Sequence, residues 1–583
     1  MSAVTQPRTR SLDLSMLRGG RTYLWLAGVS LILAIVSLHW PSTPSYDPWS
    51  WLIWGREIHN WVTGSGPAAN QALHIAGGSS WKPLPVIFTT VFAFAGSAQP
   101  NLWLVVARAG AALTVLVSAK LAMRITWSLV SRSGDEATAS DTWGGRLIAY
   151  APVAFAGAAT LVCTTFTHSY PGNMLLGYSE GVMTAAFLIA CERAWDGHHR
   201  QAFAIGIIPC LDRPEIWPVW GLYGLWLMWR DREARRLVIG LAILMLALWV
   251  VPQKLGGGTV SGLATHAQGN HSKSSCVNAS FPFSCELDYT LWPLVLERLE
   301  IASLILLGIT GYQVTRSSRQ LGSWSAALRQ HPAAVAASLA GAFGFIWWLG
   351  ISAETQEGFA GNPRYAIVGV MLVCISGAAG YGWACTGLAR LAGAGLRRLQ
   401  ERRPGFGMRA PSWRVRLTAA TTFMVLLFLF VPNWFAHRMP SVASIRYTVR
   451  YQAELRERMS YLINDYGGAD KVRSCGSLMT NNFQVTMLAW YLDVPIRFVE
   501  ALPVYKKGHL TTKLEAGPNV VFQDGVGSAK ASDQGPTPAQ MQVWEQGWKQ
   551  KNGSTYKIIV KSPVTLYTDC SAFYIYNHKP RKS

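Results

Sequence analysis

Apolar residues fall in blocks of about twenty along residues 1–436 of this chain, separated by short polar or Gly/Pro-rich segments. Blocks of that length suit helices that cross a bilayer. They predict spans at 22–40, 101–123, 146–166, 177–193, 202–211, 215–229, 236–252, 299–315, 333–352, 365–388 and 416–435, about eleven passes. Two of them, 202–211 and 215–229, are too short for a full crossing, and Leu211-Asp212-Arg213-Pro214-Glu215 lies between. A proline and three charges cannot face lipid, so the pair reads as broken helices lining a cavity inside the protein.

Between the first two spans the pattern changes from solid to amphipathic. Trp49 to Val62 and Leu84 to Ala95 each carry an apolar face, separated by turns at Gly64-Ser65-Gly66-Pro67 and Gly77-Gly78-Ser79-Ser80. They predict two helices lying along the membrane surface within a first external loop, 41–100. From 437 to 583 the chain is more polar, and strand and helix signals alternate. Helices are expected at 444–466, 481–492 and 539–549, strands at 472–478, 495–502, 519–523, 556–561 and 573–577, and a mobile loop at 525–537. The chain thus divides into a transmembrane domain, 1–436, and a C-terminal α/β domain, 437–583, long enough for a core of its own.

Composition supports a polytopic α-helical membrane protein: half of the 583 residues are hydrophobic and only 14% are charged, against about 25% in soluble proteins. The net charge of +21 raises nucleic-acid binding. Its distribution excludes that, because the arginines cluster between spans: Arg8 to Arg21, Arg230 to Arg236, Arg316 to Arg329 and Arg397 to Arg416. Alternate connections are poor in Lys and Arg, the positive-inside pattern of a plasma-membrane protein. It puts the N-terminus in the cytoplasm and the C-terminal domain outside. The charged start followed by a long apolar run, with no small-residue cleavage site, reads as an uncleaved first helix.

Of nine cysteines, five lie in or beside apolar spans and read as packing residues. Cys276 and Cys285 share one external loop, and Cys475 and Cys570 lie in the C-terminal domain. In an oxidising compartment these form two disulfides, Cys276–Cys285 and Cys475–Cys570.

Candidate chemistry starts at Asp47, just beyond the first span, in Tyr46-Asp47-Pro48-Trp49. A carboxylate at the membrane boundary can take a proton from an acceptor hydroxyl attacking a lipid-held substrate. Asp before Pro is also a common helix cap. Glu57, ten residues on, shares roughly the same helical face, with Arg56 beside it as an ion-pair partner. Lys82, in Ser80-Trp81-Lys82-Pro83-Leu84-Pro85, suits a phosphate as a point charge, or snorkels to the headgroups. Arg108 and Glu180 are charges inside or at the mouth of apolar runs and need partners or substrate. His168 with Glu180 is a weak candidate pair for a divalent metal. Arg213 is flanked by Asp212 and Glu215, which either neutralise it or orient it towards a phosphate. Arg364 and Tyr365, in Asn362-Pro363-Arg364-Tyr365, stand at the outer start of the tenth span, placed for a phosphate or as an interfacial anchor.

These segments together resemble the GT-C membrane glycosyltransferases: Tyr46-Asp47 after an apolar first helix, Lys82-Pro83-Leu84 before an amphipathic stretch ending at Gly96, and a helix containing Arg108. Ser179-Glu180 and Pro363-Arg364-Tyr365 are similar to further segments of that superfamily. The likeness covers roughly 20–390 and excludes the C-terminal domain. It implies an inverting enzyme using a polyprenyl-phosphate sugar on the external face, with Asp47 at the position of the catalytic acid. The chain departs from the pattern in having one acid at Asp47 where many members have an Asp-Glu pair, and in carrying Pro85. Both bear on metal dependence and subfamily. In overall style it is reminiscent of actinobacterial envelope glycosyltransferases, including arabinofuranosyl and mannosyl transferases.

The expected function is therefore transfer of a sugar from a polyprenyl-phosphate donor to a cell-envelope glycan or lipid-linked acceptor. The competing classes are a transporter or flippase of lipid-linked sugars, which shares buried charges and broken helices, and a non-catalytic envelope-assembly protein.

Overall fold

The computed structural model describes residues 20–65, 73–75, 77–131, 143–167, 170–257, 275–291, 294–402, 442–501 and 519–524, the short strands at 505–506, 509–510, 557–561 and 564–568, and a few single positions. The first helix, α1 (Gly20–Ser37), exposes Leu24, Trp25, Ile32 and Leu33. α2 (Tyr46–Thr63) and α3 (Pro83–Phe92) follow, then the long α4 (Gln99–Ser131) and α5 (Trp143–Thr165). Next come α6 (Tyr170–Leu175), α7 (Glu180–Trp195), α8 (His199–Ile205), α9 (Ile207–Cys210), α10 (Trp217–Arg230) and α11 (Arg235–Leu255). The bundle closes with α12 (Pro282–Thr290), α13 (Glu297–Leu321), α14 (Trp324–Gln330), α15 (Pro332–Gln356) and α16 (Ile367–Arg402). Five helical stretches among the described residues are long and apolar enough to cross a membrane: Gly20–Ser37, Pro83–Ser131, Arg232–Leu255, Pro332–Gln356 and Pro363–Gly395. The proposed span at 416–435 lies almost wholly outside the described residues.

The break expected between 211 and 215 is present, and the local hydrogen bonding shows how it is tolerated. α9 stops at Cys210, whose freed carbonyl accepts from two indoles, Trp217 Nε1 at 2.9 Å and Trp249 Nε1 at 3.0 Å. The Leu211 carbonyl accepts from the Leu84 amide at 2.9 Å, which pins the start of α3 against the break. Irregular backbone therefore sits inside protein with its polar groups satisfied, as a membrane setting demands. Beside it, α7 packs against α4 through glycines. A Cβ on Gly181 would lie 2.7 Å from the Ala111 Cα, and Thr114 Oγ1 donates to the Gly181 carbonyl at 2.6 Å. At the other end of the same pair, Lys120 and Arg124 of α4 grip Glu192 of α7 at 2.7 and 2.5 Å.

α2 differs from the surface helix that its pattern predicts. Trp49, Trp51, Leu52, Ile53 and Trp54 are all buried. Trp51 packs on Trp103 and Trp54 on Trp81, while Trp49 meets Trp490 and Tyr491 of the C-terminal part. The indoles are core because Trp103 and Trp81 cover two of them and the C-terminal part covers Trp49. Arg56 fixes that cover by donating to the Trp490 and Val494 carbonyls at 3.1 and 3.2 Å and pairing with Asp493 at 2.9 Å.

That part begins with α17 (Val442–Asp465) and α18 (Ala469–Ser474), followed by β1 (Leu478–Thr480), α19 (Val485–Tyr491) and β2 (Val499–Ala501). β3 (Tyr505–Lys506) and β4 (His509–Leu510) form a small hairpin, and β5 (Val520–Asp524), β6 (Lys557–Lys561) and β7 (Val564–Thr568) complete the main sheet. Its order is β2-β1-β5-β7-β6, with β1 parallel to both β2 and β5 and the remaining pairs antiparallel. The strand expected at 472–478 is corrected: the chain is helical to Ser474 and turns at Gly476, whose φ of +129 needs glycine. β7 escaped the sequence reading. The expected helix 539–549, strand 573–577 and mobile loop 525–537 lie outside the described residues.

Both expected disulfides are formed, Cys276–Cys285 across 9 residues and Cys475–Cys570 across 95. In chain-entropy terms a loop of the longer kind contributes about 4–5 kcal/mol. Cys475→Ser with Cys570→Ser should therefore render 442–570 sensitive to protease at concentrations that leave the bundle intact. Equal resistance would show that the link carries no such weight.

Glu286 on α12 is buried, and Gly361 provides the room: a Cβ there would lie 2.2 Å from Glu286 Oε2. Burial pushes this carboxyl up to about 7. An acid raised in the folded state binds more protons folded than unfolded, so stability is greatest below its ordinary range and falls as pH rises through about 7. Glu286→Gln should thus gain thermal stability over the unsubstituted protein at pH 8 and not at pH 5. Parallel melting curves at the two values would refute this.

Candidate active site

Seven charged side chains from five separate segments converge beside the start of α2. Asp47 lies in the first turn of α2, where the N-cap position belongs to Ser45 and makes no side-chain capping bond. The cap reading of Asp47 is thereby corrected: its Oδ2 accepts from Arg364 Nη2 at 2.6 Å instead. Lys82 caps α3 in extended backbone, the conformation that a following proline imposes. Its Nζ reaches Glu180 Oε1 at 3.1 Å, Asp212 Oδ2 at 3.5 Å and Ser179 Oγ at 3.3 Å.

Glu180, at the first turn of α7, is the hub. Besides Lys82, its Oε1 meets Arg213 Nη2 at 3.4 Å and Arg364 Nε at 3.6 Å. Arg213 comes from the break between α9 and α10 and also binds Glu215 at 2.8 Å. Arg364 sits in the 3-10 turn Pro363–Ala366 that leads into α16, where the Asn362 side chain accepts from its amide at 3.4 Å. Indoles of α15 hold the same turn: Trp347 on the Tyr365 carbonyl at 2.8 Å and Trp348 on the Ala366 carbonyl at 3.1 Å. Two tyrosines sandwich the guanidiniums, Tyr365 at 3.5 Å from Arg213 and Tyr178 at 4.0 Å from Arg364, in cation–π contact.

The cluster holds three cations, Lys82, Arg213 and Arg364, against four acids, Asp47, Glu180, Asp212 and Glu215. Glu354, from the end of α15, lies close to Glu215 and adds a further acid that sequence reasoning did not single out. Tyr178 was missed as well; the only signal was its place two residues before Glu180. Glu180 is fully buried, whereas the Asp47 side chain keeps 17% of its surface exposed. Asp47 and Glu215, whose side chain keeps 14%, are thus the acids at the open edge of the cluster. Polar atoms of the cluster still lack hydrogen-bond partners, among them Glu180 Oε2, Asp212 Oδ1, Arg213 Nε and Glu215 Oε2. Unsatisfied buried atoms of this kind are what a polar ligand would complete.

Two predicted residues do not join. Arg108 donates to the Leu175 carbonyl at 2.7 Å and to Ser37 Oγ at 2.9 Å, so its guanidinium ties α1 and α6 to α4. Glu57 is buried beside Arg56 at 3.8 Å, on the side that the C-terminal part covers. Ten residues along the helix put it near the same face as Asp47 but well away along the axis. His168 lies outside the described residues. Among those described, no group of three or more His, Cys, Asp or Glu could hold a metal ion. Glu180 is met by three cationic side chains, a setting that does not fit a divalent cation beside it.

No protein-family model matches the chain, and no curated protein matches it in sequence. Among solved structures, ArnT from Cupriavidus metallidurans bound to undecaprenyl phosphate is similar over 94% of this chain and 98% of its own, at 12% identity and a TM-score of 0.46. The apo form of the same protein is similar over 94% and 97%, at 13% identity and a TM-score of 0.43. A likeness of this size leaves the geometry of the charged cluster as the ground for a functional reading.

Proposed function

We propose that this chain is a GT-C-type glycosyltransferase of the plasma membrane. It moves a sugar, with inversion, from a polyprenyl-phosphate donor to an envelope glycan or glycolipid acceptor on the external face. The observation that carries this reading is the convergence of Asp47, Lys82, Glu180, Arg213 and Arg364 in one cluster beside apolar helices. Three cations that a phosphate can bind stand within reach of an acid at the open edge.

In this reading the donor phosphate draws Arg364 from Asp47, and Arg213 and Lys82 complete its shell. Glu180 holds the three cations in register. The freed Asp47 carboxylate takes the proton of the acceptor hydroxyl as its oxygen attacks the anomeric carbon. The bond from that carbon to the phosphate oxygen breaks, and the electron pair leaves on the polyprenyl phosphate. Cations already in place stabilise the charge as it develops there.

Purified protein given a synthetic polyprenyl-phosphate sugar and an oligosaccharide acceptor should transfer the sugar. Lipid movement across a bilayer with no transfer would replace this reading with a flippase. Lys82→Ala should raise the donor KM by roughly 10–100-fold with a smaller effect on kcat, since its charge acts on bound and reacting phosphate alike. An unchanged donor KM would remove Lys82 from the phosphate shell.

A further inference from the structure

The α/β part meets the bundle at Tyr46, next to the charged cluster. β1 is the middle of three parallel strands, with β2 on one side and β5 on the other. The chain leaves the carboxyl end of β1 through α19 to reach β2. Ligands of open α/β sheets bind beyond the carboxyl ends of the strands.

The residues at that end are Asn481 and the 3-10 turn Asn482–Gln484. They face the bundle. The Phe483 ring meets the Tyr46 ring edge-on at 5.9 Å, and Thr486 Oγ1 donates to the Tyr46 carbonyl at 3.1 Å. Tyr46 immediately precedes Asp47, so this end of β1 packs against the stretch of backbone that carries the proposed base. Asn481 is buried to 7% exposure, yet its Oδ1 has no partner. Phe483 keeps 39% of its surface exposed. A buried amide oxygen awaiting a donor beside an exposed ring is the pairing that a sugar satisfies, with a hydroxyl for the amide and a C–H face for the ring. A few placed polar groups on an otherwise apolar and aromatic wall are also the general character of small-ligand sites.

We propose that the carboxyl end of β1 is the acceptor subsite, where Asn481 and Phe483 hold one ring of a neutral glycan so that a neighbouring hydroxyl reaches Asp47. This deepens, and rests on, the transferase reading above. It assigns the α/β part the choice of acceptor and leaves the donor to the membrane bundle.

The test separates the two. Binding of short mannan and arabinan oligosaccharides to the full-length protein in detergent is measured by saturation-transfer NMR, without donor. One of the two should bind to the unsubstituted protein and to Asp47→Asn alike, and Phe483→Ala and Asn481→Ala should each weaken it at least tenfold. Phe483→Ala removes a half-exposed ring, so an unchanged melting curve confirms that it folds. In transfer assays the same variant should raise the acceptor KM while leaving the donor KM and slow donor hydrolysis by water unchanged. Absence of binding by either oligosaccharide, or binding that ignores both substitutions, overturns the subsite. Intact, substitution-sensitive binding without any sugar transfer supports the subsite and counts against the transferase reading alone.

Discussion

Asp47→Asn should lower sugar transfer by about 10²–10⁴-fold, the usual worth of a positioned general base. The asparagine oxygen can still accept from Arg364, which stands 2.6 Å from Asp47 Oδ2, so the local structure should survive. What disappears is the capacity to take a proton. Donor binding should be retained or tightened, because Arg364 no longer shares its guanidinium with a carboxylate. Single-turnover transfer and donor affinity, measured on the same preparation, separate these effects. Transfer within threefold of the unsubstituted protein would remove Asp47 as the base, whatever the donor affinity.

Asp47 also shows how far local sequence reaches. A carboxylate one residue before a proline reads equally as a helix cap or as a base, and only a partner 317 positions away distinguishes them. The residues that meet at Glu180 each carried a local signal of their own. Lys82 precedes a proline, Arg213 sits in a helix break, and Arg364 follows Asn-Pro at a span entry. Each is a charge inside or at the edge of an apolar segment, where partners inside protein or a substrate are expected. That expectation made the cluster's membership legible.

Position along a helix was less legible. Arg108 and Glu57 obey the same rule of buried charge, and the fold satisfies them with backbone carbonyls and a neighbouring arginine. Burial demands a partner without saying which. The same ambiguity hid the network of Lys120, Arg124 and Glu192, whose charges look like ordinary ends of spans until α4 and α7 are paired. The tryptophans of α2 misled for a related reason. Amphipathic indoles suit a membrane surface and a protein interface alike, and the rings that cover Trp49 lie more than 400 residues downstream in the chain.

Glu180→Gln should cost the protein more in folding than in chemistry. Three cations lie 3.1, 3.4 and 3.6 Å from one carboxylate oxygen that is fully buried. Removing its charge leaves Lys82, Arg213 and Arg364 repelling one another, with Asp212, Glu215 and Asp47 as their remaining anions. Breaking a buried pair from one side typically costs about 3–5 kcal/mol, because the partner's charge is left buried and uncompensated. The single variant should therefore accumulate poorly and lose its fold faster on heating in detergent. Combining Glu180→Gln with Lys82→Met removes one charge of each sign and should recover most of that loss, although transfer stays low for want of a phosphate ligand. If the single variant melts like the unsubstituted protein yet transfers no sugar, Glu180 acts on the substrate directly and the hub assignment fails. If both variants are equally unstable, the loss comes from packing at the start of α7 and not from charge.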